Sequence, residues 1–172
     1  MRPNPMREKL LAGELAFGGW LKIPSTVSAE IMGMAGLDFV CIDLQHGLND
    51  YSDALPMLQV LSSGDSTAVV RVPGNEPGVI GKVLDAGAMA VIVPMVNSRD
   101  ECEVAVRATK YAPEGTRSYG PIRATVLEGS DYLERANTDV ACIPMIETRQ
   151  AIELIDEILS VVGVEIVFVG PS

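Results

Sequence analysis

FVCIDLQHG, residues 39–47, is an apolar run that ends in polar side chains and a glycine. A short apolar run without alternation is typical of a parallel strand that is covered on both faces. Gly47 marks the turn that follows the strand. We therefore expect Asp43, Gln45 and His46 at the carboxyl end of a buried parallel strand.

The rest of the chain repeats this unit of apolar run, glycine or proline, and helical stretch. Strands are predicted at residues 15–21, 37–42, 68–72, 89–96, 140–146 and 164–169. Helices are predicted at residues 25–35, 52–63, 76–86, 98–110 and 148–159, and a long loop at residues 111–135. Gly36, Gly64 and Gly87 follow the first three helices, where a left-handed residue commonly ends a helix. Ser98 and Glu101 have the spacing of a capping box.

Six strand–helix repeats predict an α/β fold with a parallel sheet. Such a sheet is either an open, doubly wound sheet or a closed barrel, and the first strand is not followed by the Gly-x-Gly-x-x-Gly of dinucleotide-binding proteins. The barrel is therefore favoured. A complete (β/α)8 TIM barrel has eight strands and typically about 250 residues. We expect residues 1–172 to form a single barrel domain that is truncated after the sixth strand, with its C-terminal part missing.

Composition excludes several classes of function. The formal net charge of −10, from 13 basic and 23 acidic residues, argues against nucleic-acid binding, which needs clustered Lys and Arg. No apolar run approaches the roughly 18 residues of a membrane span, and the N-terminus lacks a signal peptide. We therefore expect a cytoplasmic protein without nucleic-acid or membrane partners. Cys41, Cys102 and Cys142 lack metal-ligand spacing, so we expect reduced thiols in the core.

Polar residues collect where the predicted strands end. Asp43 and His46 follow the second strand, Arg71 ends the third, and Glu147 follows the fifth. In barrels the carboxyl ends of the strands form one face, which holds the active site. His46 is the only histidine of the chain, and an imidazole suits proton transfer near neutral pH. Asp43 lies close enough in sequence to orient that imidazole.

Each of these residues also has an explanation that involves no catalysis. His46 could be a solvated loop histidine or one bound to a backbone carbonyl. Arg71 could pair with a surface carboxylate, and Glu147 could lie in the first turn of a helix, where the dipole favours an acid. Their shared position at strand ends favours a common site. As an oxygen ligand, Glu147 suits a hard divalent cation.

Seven segments resemble the HpcH/HpaI aldolase family of class II, metal-dependent pyruvate aldolases. In order they are DLQHG at 43–47, RVPGNEP at 71–77, LDAGA at 84–88, IVPMVN at 92–97, PEGTR at 113–117, IET at 146–148 and FVGPS at 168–172. The match covers nearly the whole chain. Members include 4-hydroxy-2-oxoheptanedioate aldolase and 2-dehydro-3-deoxyglucarate aldolase, and they are (β/α) barrels.

The resemblance implies an aldehyde-lyase that cleaves a 4-hydroxy-2-oxo acid to pyruvate and an aldehyde through a metal-bound enolate. It implies a divalent cofactor, Mg²⁺, Mn²⁺ or Co²⁺, and a homo-oligomer that is a hexamer or a trimer. His46, oriented by Asp43, is then the acid/base group and acts through water. Arg71 holds the keto or enolate oxygen of the substrate.

The resemblance also implies a binding site at the last two strands. Glu147 is then one metal ligand, and the second carboxylate is expected just after Ser172. The backbone around Gly170 and Ser172 forms part of the site for the substrate carboxylate. Many members have Gln where this chain has Met145, so the orientation of the substrate is expected to differ.

Two alternatives remain open from the sequence. One is an acyl-CoA lyase of the citrate lyase β-subunit type, which needs a basic patch for CoA that the sequence does not display. The other is a non-catalytic barrel fragment. A Schiff-base aldolase is not favoured, because Lys82 and Lys110 lie in predicted helices rather than at strand ends.

Overall fold

The computed structural model describes residues 3–170, and within them six parallel strands form one sheet in sequential order. The strands are β1 Gly18–Leu21, β2 Phe39–Asp43, β3 Thr67–Arg71, β4 Ala90–Val93, β5 Ala141–Ile146 and β6 Phe168–Val169. Each strand pairs with its predecessor, as in a (β/α) barrel, and the sheet curls with helices on its outer face. This confirms the predicted fold class.

The connections between the strands contain the helices. They are α1 Pro5–Leu11, α2 Thr26–Gly33, α3 Tyr51–Leu61, α4 Pro77–Asp85, α5 Arg99–Thr109, α6 Ile122–Glu128, α7 Tyr132–Asp139, α8 Arg149–Glu153 and α9 Ile155–Leu159. Across residues 3–170 none of these helices is long and apolar enough to cross a membrane.

Alternate residues of each strand face opposite sides of the sheet and divide the core into two layers. Val40, Ile42 and Val70 face the helices. The other set faces the barrel interior and comprises Cys41, Val69, Ala90, Ile92, Ala141, Ile143 and Met145. Because side-chain direction repeats every two residues, Asp43, Arg71 and Glu147 continue the inward set at the carboxyl ends of their strands.

The helix α1 was not predicted, because seven residues give too short a periodic signal. It begins at Pro5, whose fixed φ suits the first helical position. Asn4 caps it by accepting the Arg7 N–H at 3.1 Å, and its Nδ2 donates to the carbonyls of Met89 and Asp139 at 3.0 Å each. Asn4 thus ties α1 to the chain that enters β4 and β5.

One loop prediction and one helix prediction in the second half of the chain were wrong. The predicted loop 111–135 contains α6 and the start of α7, because Pro121 precedes α6 and Gly129, with φ +93°, ends it. The punctuation that suggested a loop therefore marks the ends of a seven-residue helix. The predicted helix 148–159 is divided at Leu154 into α8 and α9.

The glycine predictions were confirmed at two of three positions. Gly36 and Gly87 have φ of +75° and +101° and follow α2 and α4. Gly64 is not left-handed; it is small because a Cβ there would lie 2.9 Å from the carbonyl oxygen of Gly33. Close packing of α2 against the end of α3 therefore requires glycine at position 64.

The three cysteines are buried and free, as predicted. Burial raises the pKa of Cys142 to about 12 and that of Cys102 to about 11. Both thiols are therefore protonated at neutral pH and serve as small apolar groups in the core.

We expect Asn4→Ala to lower the free energy of unfolding by about 2–3 kcal/mol, because the substitution removes a helix cap and two buried hydrogen bonds, to the carbonyls of Met89 and Asp139. Ser25→Ala is the matched control, since the Ser25 hydroxyl caps α2 by accepting the Ser28 N–H at 3.1 Å and makes no other hydrogen bond within residues 3–170. That control should cost only about 1 kcal/mol. Urea unfolding measures both values, and equal losses would show that Asn4 is only a cap.

Candidate active site

The site is organised around a buried ion pair between neighbouring strands. Asp43 ends β2 and Arg71 ends β3, and the two residues are paired in register. Arg71 Nε donates to Asp43 Oδ1 at 2.9 Å, and Arg71 Nη2 donates to Asp43 Oδ2 at 2.6 Å. Asp43 is fully buried and Arg71 is 7% exposed. The partner of Arg71 is therefore a buried carboxylate and not a surface one.

The Asp43 carboxylate accepts three further hydrogen bonds. The backbone N–H groups of Gln45 and His46 donate to Oδ1 at 3.0 and 3.1 Å, and Trp20 Nε1 donates to Oδ2 at 3.2 Å. Burial alone would raise the pKa of Asp43, but the hydrogen bonds from Arg71, the two amides and Trp20 outweigh it and lower the pKa to about 2. Asp43 is thus ionised at neutral pH and is poorly suited to accept a proton.

Trp20 completes the surroundings of the guanidinium. The Arg71 Cζ atom lies 5.2 Å from the centroid of the Trp20 ring, and that ring lies 5.4 Å from the ring of Phe168 on β6. The cation–π contact with the indole and the two hydrogen bonds to Asp43 together hold the guanidinium in place. Arg71 Nη1 donates to no residue between positions 3 and 170, so it remains available to a bound anion.

The structure does not support the predicted contact between Asp43 and the imidazole of His46. Asp43 accepts the backbone N–H of His46, whereas the ring is exposed and makes no hydrogen bond to Asp43 in the described part of the chain. The reason is that the two carboxylate oxygens already accept five hydrogen bonds, from Arg71, Trp20 and the backbone N–H groups of Gln45 and His46, so no acceptor site is left for the imidazole. Asp43 therefore positions His46 through the loop backbone, as in an Asx-turn.

The loop that carries His46 is fixed by its next residues. A Cβ at Gly47 would lie 2.2 Å from the carbonyl oxygen of Asp43, so only glycine allows the chain to pass this close. Asn49 is buried, and its Nδ2 donates to the carbonyls of Leu21 and Asp43 at 3.1 and 3.2 Å. The backbone of His46 is thus held while its side chain stays accessible to solvent and substrate.

Glu147 lies between β5 and α8. Thr148 is the N-cap of α8, so Glu147 precedes the helix and is not in its first turn. Its Oε1 atom accepts the backbone N–H of Met95 at 2.8 Å, and Oε2 accepts no hydrogen bond from residues 3–170. Met95 has φ +56°, a left-handed conformation that costs a non-glycine residue about 1–3 kcal/mol. One carboxylate oxygen of Glu147 is therefore fixed, and the other is free.

The end of β6 lies beside Glu147. Val169 pairs with Ile146, and the N–H of Gly170 donates to the carbonyl of Ile146 at 3.1 Å. A Cβ at Gly170 would lie 2.3 Å from Cε of Met145, so the methionine side chain packs directly on this glycine. Ser172, predicted to help bind a substrate carboxylate, lies outside the described residues.

The two lysines considered for Schiff-base chemistry lie elsewhere. Burial lowers the pKa of Lys110, but its Nζ donates to the carbonyls of Asn137 and Val140, where the chain enters β5. Lys82 lies on α4, outside the sheet, with Nζ 4.3 Å from the centroid of the Tyr51 ring. Neither lysine lies on a strand or directly after the carboxyl end of one.

Sequence reasoning missed two residues of the site. Trp20 is the only tryptophan and lies next to the last residue of the predicted strand 15–21, which would have been a usable signal. Met95 had no such signal, because residues 89–96 were predicted as one continuous strand, whereas β4 ends at Val93. The left-handed turn at Met95 follows from tertiary contacts and not from a turn-forming residue type.

Chemically, these residues can hold an anion and move a proton. The Arg71 guanidinium, with one free N–H, lies at the carboxyl end of β3. The accessible imidazole of His46 follows β2, and the Glu147 carboxylate, with one free oxygen, follows β5. All three groups therefore lie at the same end of the sheet. Between residues 3 and 170, no three His, Cys, Asp or Glu side chains lie close enough together to hold a metal ion by themselves. A cation at Glu147 would therefore need ligands from substrate, water or residues outside that range.

The chain is similar in sequence to curated aldolases. It is 43% identical over 169 residues to a hydroxypyruvate/pyruvate aldolase of Rhizorhabdus wittichii, with 98% of this chain and 67% of the relative covered. It is 36% identical over 172 residues to the 5-keto-4-deoxy-D-glucarate aldolase of Escherichia coli K12, with 99% and 67% covered. The chain thus spans about two thirds of the length of these relatives.

Solved structures agree with the fold. A HpcH/HpaI aldolase/citrate lyase family protein from Burkholderia cenocepacia J2315 superimposes with a TM-score of 0.90 at 33% identity, covering 97% of this chain and 68% of that one. The citrate synthase SbnG superimposes with a TM-score of 0.86 at 30% identity, covering 97% and 65%. The model of the HpcH/HpaI aldolase/citrate lyase family matches residues 17–172. The chain therefore belongs to the HpcH/HpaI aldolase/citrate lyase family.

Proposed function

We propose that the protein is a divalent-metal-dependent pyruvate aldolase that cleaves a 4-hydroxy-2-oxo acid to pyruvate and an aldehyde. The observation that carries the proposal is the fixed, partly free guanidinium of Arg71 at the carboxyl end of β3. Retro-aldol cleavage leaves an enolate, and a preorganised cation stabilises the charge as it forms. The aldolase names of the relatives at 43% and 36% identity support the same reaction class. Residues 1–172 are proposed to belong to one barrel domain.

The site offers a carboxylate oxygen, the type of donor that a divalent cation prefers, and Glu147 would hold the cation. Its Oε2 atom is free, while Oε1 is fixed by Met95 N–H. Mg²⁺ and Mn²⁺ favour carboxylate oxygens and commonly complete their coordination with substrate and water. When bound, the cation would polarise the 2-oxo group of the substrate and offset the negative charge of the enolate. The family resemblance also implies a homo-oligomer.

Arg71 would bind the keto oxygen through Nη1, because Nε and Nη2 are occupied by Asp43. Asp43 would act as the positioning residue for this guanidinium. With a pKa of about 2, it would remain an anion throughout the reaction and keep the fork in place.

His46 would act as the general base and acid. Directly or through a water molecule, its imidazole would take the proton from the C4 hydroxyl as the C3–C4 bond breaks. The aldehyde would leave, and the electron pair of the broken bond would remain on the enolate. Protonation of the enolate at C3 gives pyruvate. An exposed imidazole can exchange this proton with solvent between turnovers.

The main alternative is an acyl-CoA lyase of the citrate lyase type, since the matching family also includes citrate lyases. A CoA thioester would need basic side chains at the mouth of the barrel to bind its phosphates. Turnover assays with 4-hydroxy-2-oxo acids and with acyl-CoA thioesters separate the two candidates.

In the direct test of this proposal, the intact protein is expected to cleave a 4-hydroxy-2-oxo acid only with Mg²⁺, Mn²⁺ or Co²⁺. Excess EDTA should abolish pyruvate release, and adding the metal back should restore it. Pyruvate release is followed by a coupled assay. Full activity in EDTA, or trapping of substrate on the protein by borohydride, would contradict the metal–enolate mechanism.

We expect His46→Ala to lower kcat by roughly 10²- to 10⁴-fold, the usual effect of losing a general base. Metal affinity should be unchanged, because the imidazole is not a proposed ligand. Leu48→Ala, a neutral change at an exposed residue of the same loop, is the matched control and should keep kcat. Loss of Mn²⁺ binding in His46→Ala, measured by calorimetry, would assign the imidazole to the metal instead.

We expect Arg71→Lys to lower kcat/KM by roughly 10²-fold or more, although the charge is retained, because an ammonium cannot bind Asp43 and substrate with a rigid fork. Arg99→Lys is the control, since Arg99 forms an exposed pair with Glu103 at 2.9 Å. Steady-state kinetics of both variants decide the point. Turnover of Arg71→Lys near that of the wild type would leave Arg71 with only its charge as a contribution.

A further inference from the structure

The loops that follow β4 and β5 are joined by side chains at one point. Asn97 Nδ2 donates to the carbonyl of Met95 at 2.9 Å, and the Thr148 hydroxyl donates to Asn97 Oδ1. Met95 N–H in turn donates to Glu147 Oε1 at 2.8 Å. The Asn97 amide therefore contacts two residues that adjoin the Glu147 carboxylate. One is Met95, whose N–H binds that carboxylate, and the other is Thr148, which follows Glu147 in the chain.

The backbone of Met95 adopts a conformation that is unfavourable for a non-glycine residue. Its φ of +56° is left-handed, whereas the side chain is 53% exposed, so packing of that side chain does not impose the conformation. The neighbours Pro94 and Val96 are both buried and anchor the turn on each side. The left-handed conformation accompanies the N–H that reaches Glu147, and the Asn97 amide fixes the carbonyl of the same residue.

Asn97 is not required to cap the helix that follows it. The N-cap of α5 is Ser98, whose hydroxyl accepts the N–H of Glu101 at 3.2 Å. The Glu101 carboxylate accepts the backbone N–H of Asn97 at 2.7 Å and leaves the Asn97 side chain unused by α5. The Asn97 amide is therefore committed to the contacts between the two loops.

We propose that Met95 and Asn97 are positioning residues that hold the Glu147 carboxylate for the divalent cation. This inference rests on the proposed function, in which Glu147 is a metal ligand. Met95 N–H occupies Oε1 and leaves Oε2 for the cation, and Asn97 holds the strained turn that presents this N–H. Such contacts behind a ligand orient it and commonly change metal affinity by about 10- to 100-fold when they are removed.

The first test uses the metal-free intact protein. Amide hydrogen exchange at Met95 should be slow in the wild type and about 10-fold faster in Asn97→Ala, because the turn that presents this N–H opens more often. Asn137→Ala is the matched control, since Asn137 is also half-buried and makes two hydrogen bonds, to Tyr111 N and O at 2.7 and 3.0 Å, far from Glu147. Unchanged exchange at Met95 in Asn97→Ala would overturn the proposal.

The second test measures Mn²⁺ affinity by calorimetry. Asn97→Ala should raise the Kd about 10-fold, and Asn137→Ala should leave it unchanged. Adding Met95→Gly to Asn97→Ala should return the Kd to within about threefold of the wild type, because glycine populates the left-handed region without cost. A merely destabilising role of Asn97 would not predict rescue by the more flexible residue. A Kd unaffected by Asn97→Ala, or no rescue, would overturn the proposal.

A second variant tests the proposal if Asn97→Ala does not fold. Asn97→Asp keeps the oxygen that accepts the Thr148 hydroxyl but removes the donor to Met95 O, so it should show the same faster exchange at Met95. Failure of the proposed function is distinguishable. If the wild type binds no Mn²⁺, the metal proposal and the positioning proposal both fail. If it binds Mn²⁺ and Asn97→Ala binds it equally well, only the positioning proposal fails.

Discussion

The buried ion pair between Asp43 and Arg71 is the interaction on which the site depends. A buried guanidinium and a buried carboxylate are each costly to take out of water, and they are tolerated because each satisfies the other in a two-point contact. Five hydrogen bonds converge on the Asp43 carboxylate, so it joins β1, β2, β3 and the His46 loop at one point. Removal of either charge would disturb all four.

Strand geometry determines which residues reach this point. Side chains alternate between the helix-facing and the inward-facing layer, and the inward set changes from apolar residues such as Val69 to polar ones such as Arg71 only at the strand ends. The apolar part of the interior stabilises the barrel, whereas the polar end forms a site. Helix α1, held by Asn4, contributes Met6 to the same interior cluster from the other end. The apolar residues that pack the barrel interior and the polar residues of the site therefore lie at different heights along the same strands.

The two sides of the site are held by different means. On the β2 and β3 side, charge pairing and stacking hold Arg71. On the β4 and β5 side, Glu147 depends on backbone geometry, since its fixed oxygen is bound by the N–H of a left-handed Met95. Such strain persists only where surrounding contacts over-determine it, and it clusters at functional sites. The buried neighbours of Met95 and the amide of Asn97 provide those contacts.

The sequence by itself determined the class of fold and the strand ends that carry polar residues. Short apolar runs without alternation and the glycines after helices are local signals. Asp43, Arg71 and Glu147 lie where those apolar runs end. Short elements such as α1 and α6 escaped prediction because seven residues contain too few repeats to reveal a helical period.

Only the tertiary structure decided the partners. Asp43 is near His46 in sequence, yet its carboxylate binds Arg71, which lies 28 positions away, because in-register pairing of β2 and β3 places the two side chains on one face. The left-handed turn at Met95 and its contact with Glu147, 52 positions away, likewise depend on neighbouring strands. Spacing in the sequence identifies which groups are available, but contacts between strands far apart in the chain determine which groups meet.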